Sequence, residues 1–180
     1  MTTWIALFRG INVGGASVLP MKDLVALFGR LGFAQARSYI QSGNVVFKGS
    51  RPQALSLAKR IPEELAMSHG FKTRMILLAL EEMEEAVSSN PFPEGEEDPK
   101  SLNIYFLAGN PSKPDMESLE QVKSSSERFS LLGKVFYLYA PDGVGRSKLA
   151  ASVERRLGVE ATARNLRTTL AVLKIARDLL

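Results

Sequence analysis

Three stretches of the chain carry residue types that could do chemistry. The first is Arg9-Gly10-Ile11-Asn12-Val13-Gly14-Gly15. Glycines there let backbone N–H groups converge on an anion, as in phosphate-binding nests. Gly10 and Gly15 even stand at Walker A spacing, but Ala16 occupies the place of the phosphate-binding lysine, which argues against a Walker nucleotide site. The second stretch, Gly143-Val144-Gly145-Arg146-Ser147-Lys148, leads into a helix start, where unpaired N–H groups and the helix dipole favour anions. The third is Arg164-Asn165 at the mouth of a terminal helix, whose Arg167, Lys174 and Arg177 share one face. Such a stripe suits phosphate-backbone contact and would make binding strongly salt-dependent.

Each stretch also has a plain structural reading: a tight loop with positive φ, a capped helix start, and a solvated cationic face. Residue types missing from the chain narrow the chemistry further. With no cysteine there are no disulfides, thiol nucleophiles or Cys-based metal sites. The single histidine, His69, precedes Gly70 at a helix end and suits a surface position in the last turn. Glu81, Glu82, Glu84 and Glu85 form a near-continuous acidic run that is expected to face water and not to converge on a bond. Arg9, Asn12, Gln41, Ser42 and Asn44 would make a polar pocket at strand ends, without an evident nucleophile and base. Arginines, lysines, amides and glycine loops therefore favour binding over catalysis.

The elements that must position these groups follow a repeated order. Trp4–Phe8 reads as a buried strand. Pro20 opens a helix with Met21, Leu24, Leu27, Phe28 and Leu31 inward and Gly32 at its stop. Arg37–Ile40 and Val45–Lys48 flank a hairpin turn at Ser42-Gly43-Asn44. A helix over 52–68 places Leu55, Ala58, Ile61 and Leu65 inward, with a kink expected at Pro62. Lys72–Ala79 completes β-α-β-β-α-β.

The second half repeats that pattern. Leu102–Leu107 is a strand, Pro114 opens a helix with Met116, Leu119 and Val122 inward, and Arg128–Leu132 with Val135–Tyr139 form a hairpin. Ser147 caps a helix carrying Leu149, Val153 and Leu157, closed by Gly158. Val159–Ala163 is a short strand, and Asn165 caps a last helix bearing Leu166, Leu170, Leu173 and Leu180. The expected fold is α+β: a tandem pair of ferredoxin-like units with antiparallel sheets, plus a C-terminal helix. The expected boundaries are 1–89, an acidic Pro/Gly-containing connector at 90–100, and 101–180. Ferredoxin-like order invites comparison with RNA-recognition sheets. Lys134–Tyr139 lacks their aromatic spacing, however, and Asn103 stands where an aromatic is wanted, so Tyr105, Tyr137 and Tyr139 are expected in the core.

Net charge is +4 over 180 residues, unevenly spread. Residues 1–80 hold 10 basic and 3 acidic residues (+7), residues 81–120 hold 2 and 11 (−9), and residues 121–180 hold 11 and 5 (+6). Two basic blocks thus flank an acidic middle, an arrangement that would attract an anionic partner. No apolar run approaches the roughly 20 residues of a membrane span, and no secretory or lipidation signal is evident, so the cytoplasm is the expected compartment.

Several motifs occur together and in order. They are Leu7–Gly15 with Leu19-Pro20-Met21, Gly32-Phe33, Tyr39–Phe47, Asn90-Pro91-Phe92, Pro141–Leu149 and Ala161–Asn165. With them the chain closely resembles the uncharacterised, mainly bacterial family called domain of unknown function 1697. The resemblance implies an α+β protein of two related units and brings no established activity. Leu166 departs from the family pattern, which has an aromatic there, so a ligand-stacking role does not carry over.

These readings favour a binding protein for nucleic acid or a phosphorylated small molecule, with no cofactor or metal. Its expected contacts are Arg9, Gly10, Asn12, Gly14, Gly15, Gln41, Ser42, Asn44, Gly145, Arg146, Ser147, Lys148, Arg164, Asn165 and Arg167. An enzyme of unfamiliar type, built around Arg9, Asn12 and Asn44, is the first alternative. An assembly module that dimerises through exposed sheet edges is the second.

Overall fold

In the computed structural model, which describes residues 1–13, 15 and 17–179, the first apolar run lies inside strand β1 (Thr2–Arg9). It is followed by α1 (Met21–Arg30), β2 (Arg37–Tyr39), β3 (Asn44–Gly49), α2 (Arg51–His69) and β4 (Arg74–Ala79). The sheet runs β2-β3-β1-β4 with every pairing antiparallel. Trp4–Phe8 reads as a continuous apolar run because both faces of β1 are buried, with Ile5, Ala6 and Leu7 fully so. One face packs Trp4, Ala6, Phe8, Val45 and Phe47 against Leu24 and Phe28 of α1 and Leu57 and Ile61 of α2. Phe47 is gripped by Phe28 and Phe33, with ring centroids 5.2 and 5.1 Å away.

Helix α2 runs unbroken through Pro62. Its buried stripe is Ala54, Leu57, Ile61 and Leu65, whereas Leu55 is 52% exposed. The expected stripe was therefore out of phase at its start. Leu55 and Leu57 stand about 200° apart around the helix, both are apolar, and only packing decides between them. At the sheet end, Gly43 has φ +69° and its carbonyl accepts from Phe8 N–H at 2.8 Å. A Cβ there would lie 2.7 Å from Phe8 Cβ, so the turn requires glycine twice over.

After β4 come α3 (Leu80–Ser88) and the single turn α4 (Glu94–Glu97). The acidic run is thus helical. Leu80, Met83 and Ala86 are buried at helical spacing, while Glu81, Glu82 and Glu85 face water as expected. Glu82 accepts from Ala79 N–H at 2.8 Å and closes the helix start, as an acidic residue at that position does.

The second sheet contains β5 (Leu102–Leu107), β6 (Arg128–Leu132), β7 (Val135–Tyr139) and β8 (Ala161–Asn165), in the order β6-β7-β5-β8 and again wholly antiparallel. Its helices are α5 (Met116–Val122) and α6 (Lys148–Leu157), and α7 (Leu166–Arg177) follows β8. Phe136, Leu138 and Leu107 pack against Leu119 of α5 and Leu149, Val153 and Leu157 of α6. Both units thus have the ferredoxin-like order read from the sequence. In α7 the buried positions are Leu166, Thr169, Val172, Leu173 and Ala176, and Leu170 is exposed instead of inward. Leu180 lies outside the described residues.

The chain divides into one unit of Met1–Glu84 with Ala171–Leu180 and another of Glu85–Leu170. Residues 90–100 therefore fall inside the second unit, and the last ten residues are counted with the first. The reason for the former is packing: Phe92 and Gly95 are buried, and a Cβ on Gly95 would lie 2.6 Å from Leu102 Cβ. Arg128 binds this segment as well, pairing with Glu94 at 2.7 Å while its guanidinium lies over Phe92 and Tyr139. The Arg128 contact lowers the Glu94 pKa. Tyr137 is buried, and its hydroxyl donates to Ala86 C=O at 2.7 Å, whereas Tyr105 and Tyr139 are half-buried.

Two substitutions test this packing. Gly95→Ala should cost about 1–3 kcal/mol by overpacking against Leu102. Tyr137→Phe should cost about 1–3 kcal/mol because it leaves a buried carbonyl without its donor. Equilibrium urea unfolding reads both; an unchanged Gly95→Ala midpoint would mean that residues 92–98 are only loosely held.

Candidate functional site

The loop after β1 and the turn between β2 and β3 come together, and Asn12 is the reason. It has φ +56°, a left-handed conformation that asparagine tolerates better than most residues. Its Nδ2 donates to Leu19 C=O and to Gln41 C=O, both at 2.8 Å, and its Oδ1 accepts from Leu19 N–H at 2.7 Å. Its own N–H donates to Ser17 C=O at 3.1 Å. Asn44, fully buried opposite Leu7, donates through Nδ2 to Tyr39 C=O and to Ser42 Oγ. Arg9, at the end of β1, accepts through its carbonyl from Thr73 Oγ1 at 2.9 Å. The Asn12 and Asn44 amides thus hold the backbone of the loop and the turn together. Gly10 and Gly15 have the positive φ of a tight loop, +72° and +76°. Gly14 and Ala16 lie outside the described residues.

The second group lies at the start of α6. Ser147 Oγ accepts from Ala150 N–H at 2.9 Å, and Ser147 N–H donates to Val144 C=O. Lys148 N–H and Leu149 N–H, in the first turn, have no acceptor among the described residues. Arg146, Ser147 and Lys148 line a cavity of about 470 Å³ that also takes in Lys123, Ser124 and Glu127 from the segment between α5 and β6. Arg146 and Lys148 are exposed, and Lys123 pairs with Glu120 one turn back on α5. Glu127 is 5% exposed, and its Oε2 accepts from Ser124 N–H at 2.8 Å. Tyr105 stands within electrostatic reach of Glu127. Burial first, and the Glu127 charge second, push its phenol up to about 12. Lys123 and Glu127 escaped the sequence reading, although Ser124-x-x-Glu127 has the Ser-x-x-Glu pattern of a side chain turning back on its own backbone. No local signal joins that segment to residues 146–148.

The third group does not join this cavity, whose lining includes none of Arg164, Asn165 or Arg167. Asn165 caps α7 through Thr168 N–H at 2.9 Å, as expected. Arg164 has its guanidinium buried: Nη1 donates to Thr162 Oγ1 and to Ala163 C=O, and burial lowers its pKa to about 10. Along α7, Arg177 pairs with Glu84 at 2.7 Å, which neutralises one end of the expected cationic stripe. His69 is exposed at the end of α2, with its Nδ1 against Ser68 Oγ. Among the described residues no cluster of His, Asp and Glu could hold a metal ion, and no helix is long and apolar enough to cross a membrane.

Asn12→Ala should therefore act on stability before anything else. It strands Leu19 N–H and strains the left-handed backbone, for a loss of about 2–4 kcal/mol in equilibrium unfolding. Asn12→Gly, which relieves only the backbone strain, should recover part of that loss; equal effects would assign the whole cost to the side-chain bonds. Stability should also respond to alkali. The Tyr105 phenol ionises at about 12 when folded against an ordinary 10, so its contribution is complete below pH 10 and is lost as pH rises towards 12. Tyr105→Phe should flatten the slope of stability against pH in that window.

No curated protein matches the chain. A solved structure, a conserved bacterial protein from Streptococcus pneumoniae, is similar with a TM-score of 0.70 and 24% identity, covering 97% of this chain and 98% of that one. At that identity the likeness concerns the fold. The motifs at 141–149 and 161–165 lie beyond the part of the chain that a family model matches. That model covers residues 1–137, the first sheet and most of the second, and it places the chain in the family described as protein of unknown function DUF1697.

Proposed function

We propose that the chain is a cytoplasmic binding protein for a phosphorylated small molecule, with its site at the start of α6. The observation that carries this reading is the convergence of Arg146 and Lys148 with the open Lys148 N–H around one concavity of about 470 Å³. Open helix N–H groups and fixed cations are the features that favour a phosphate. The cavity volume lies in the range of small-ligand sites. A duplex would instead call for an extended cationic face, and on α7 the Arg177 charge is already paired. An enzyme centred on Arg9, Asn12 and Asn44 is disfavoured because the Asn12 and Asn44 amides are engaged with the backbone.

Binding of inorganic phosphate, nucleoside monophosphates and short mixed-sequence RNA and DNA, measured by calorimetry, tests the reading. We expect small phosphates to bind, with affinity falling about tenfold in the Arg146→Ala/Lys148→Ala double variant. Affinity should also fall as salt is raised from about 0.05 to 0.5 M. Tighter binding of the nucleic acids than of small phosphates would favour the nucleic-acid alternative. Binding that ignores salt and the double substitution, or no binding at all, would overturn the proposal.

A further inference from the structure

One end of the first sheet gathers apolar side chains that the core does not use. Strand β1 ends there at Arg9, opposite Arg74 at the start of β4, and the turn between β2 and β3 closes there. The 10–19 loop, the start of α1 and the end of α2 share that end. Four of the nine large apolar side chains exposed among the described residues lie on these segments: Val13, Val18, Ile40 and Met67, between 51 and 76% exposed. Three of them are held near one another. Asn12 donates through Nδ2 to Gln41 C=O and through its N–H to Ser17 C=O, so Val13, Val18 and Ile40 are each the chain neighbour of a residue in that set of bonds.

Backbone strain is concentrated at the same place. The non-glycine residues with positive φ among those described are Asn12, Ser17 and Ile40, all in these two segments. A β-branched side chain crowds the left-handed backbone, so a turn alone would favour asparagine or glycine at position 40. Isoleucine stands there with half of its surface exposed, and it is the apolar side chain that needs a reason. The surroundings are cationic. Residues 1–62 hold eight basic residues and one acidic residue, Asp23. At this end Arg9, Lys22, Lys72 and Arg74 are exposed, and Lys22 and Lys72 form no ion pair among the described residues.

We infer that this end of the first unit is a docking surface for an anionic lipid bilayer, a role separate from the cavity at α6. Val13, Val18 and Ile40 would enter the headgroup layer, with Met67 at the margin and Lys22 and Lys72 against lipid phosphates. Exposed apolar side chains beside cations are what hold a peripheral protein to such a surface, the first by burial and the second by charge complementarity. The bonds about Asn12 fix the loop and the turn beforehand, so little ordering remains to oppose binding. A small ligand suits these residues less well. None of the four lines the α6 cavity or the cavity of about 410 Å³ beside Gly32 and Arg60. A nucleic-acid backbone would pair with the lysines and leave the apolar side chains in water.

Flotation of the full chain with vesicles of phosphatidylcholine alone, or mixed in equal parts with phosphatidylglycerol, tests this. We expect binding to the mixed vesicles, about tenfold weaker binding to phosphatidylcholine alone, and release as salt is raised. Val18→Ser and Ile40→Asn should each weaken binding to the mixed vesicles about tenfold by removing buried apolar surface. Lys22→Gln and Lys72→Gln should each weaken it about fivefold. Asparagine suits the left-handed backbone at position 40, so Ile40→Asn should stay folded, and Val18→Ser alters an exposed residue; urea unfolding checks both. No binding to the mixed vesicles, or binding that both substitutions leave unchanged, would overturn the proposal. So would binding lost in Arg146→Ala/Lys148→Ala but not in Ile40→Asn, which would place the lipid phosphate at α6. A dimer in light scattering that Ile40→Asn dissociates would give the surface to a second copy of the chain and overturn it too.

Discussion

Strands β1 and β5, each paired on both sides, govern what the rest of their unit can do. A strand between two antiparallel neighbours has every backbone group engaged along its length, so its ends are where new loops can leave the sheet. In the first unit, β1 lies between β3 and β4, with Leu7 opposite Asn44 and Arg9 opposite Arg74. That register delivers the 10–19 loop and the 40–43 turn to the same end of the sheet. A short side chain with both donor and acceptor can then tie one to the other. Asn12 does so, and the cost of its left-handed backbone is offset by three hydrogen bonds.

The fold could be read from the chain because its signals are local and redundant. Apolar runs, Pro at helix starts, Gly at helix ends and glycine turns mark the elements twice over. Ser147 and Asn165 as caps, and Gly158 as a left-handed stop, needed no knowledge of their neighbours. What escaped depends on partners far along the chain. Leu55 and Leu57 are equivalent until the sheet selects one of them. The glutamates of 81–85 suggest solvent because they do face it, and Leu80, Met83 and Ala86 between them show a helix only once something covers that face.

The candidate site divides along the same line. Its cations, Arg146 and Lys148, belong to one short segment and were visible as a motif. Lys123 and Glu127 come from a segment some twenty residues earlier, and only the packing of α5 beside α6 makes them neighbours. The converse failure is Asn12 and Asn44. Their residue type suggested a ligand pocket, but an amide beside glycines is equally suited to bonding the backbone, and here the Leu19, Gln41 and Tyr39 carbonyls take it up.

Comparison of the two units sharpens the assignment of the site. Helices α2 and α6 hold the same place in the repeated order, each starting after the hairpin with a serine at its cap. The first turn of α2 has one open donor, Arg51 N–H. Gln53 turns back to accept from Ser50 N–H at 2.9 Å, and Pro52, in the first turn, has no N–H to offer. The start of α6 has Lys148 and Leu149 where α2 has Arg51 and Pro52, and Ala150 where α2 has Gln53. Ser147 N–H bonds to Val144 C=O instead, and Leu149, unlike Pro52, adds an open donor beside Lys148 N–H. The two helix starts thus differ by a single first-turn donor, and the second lies beside a cavity lined by Arg146 and Lys148. That cavity and its two cations are why the phosphate reading attaches to the second unit and not to the glycine loop of the first.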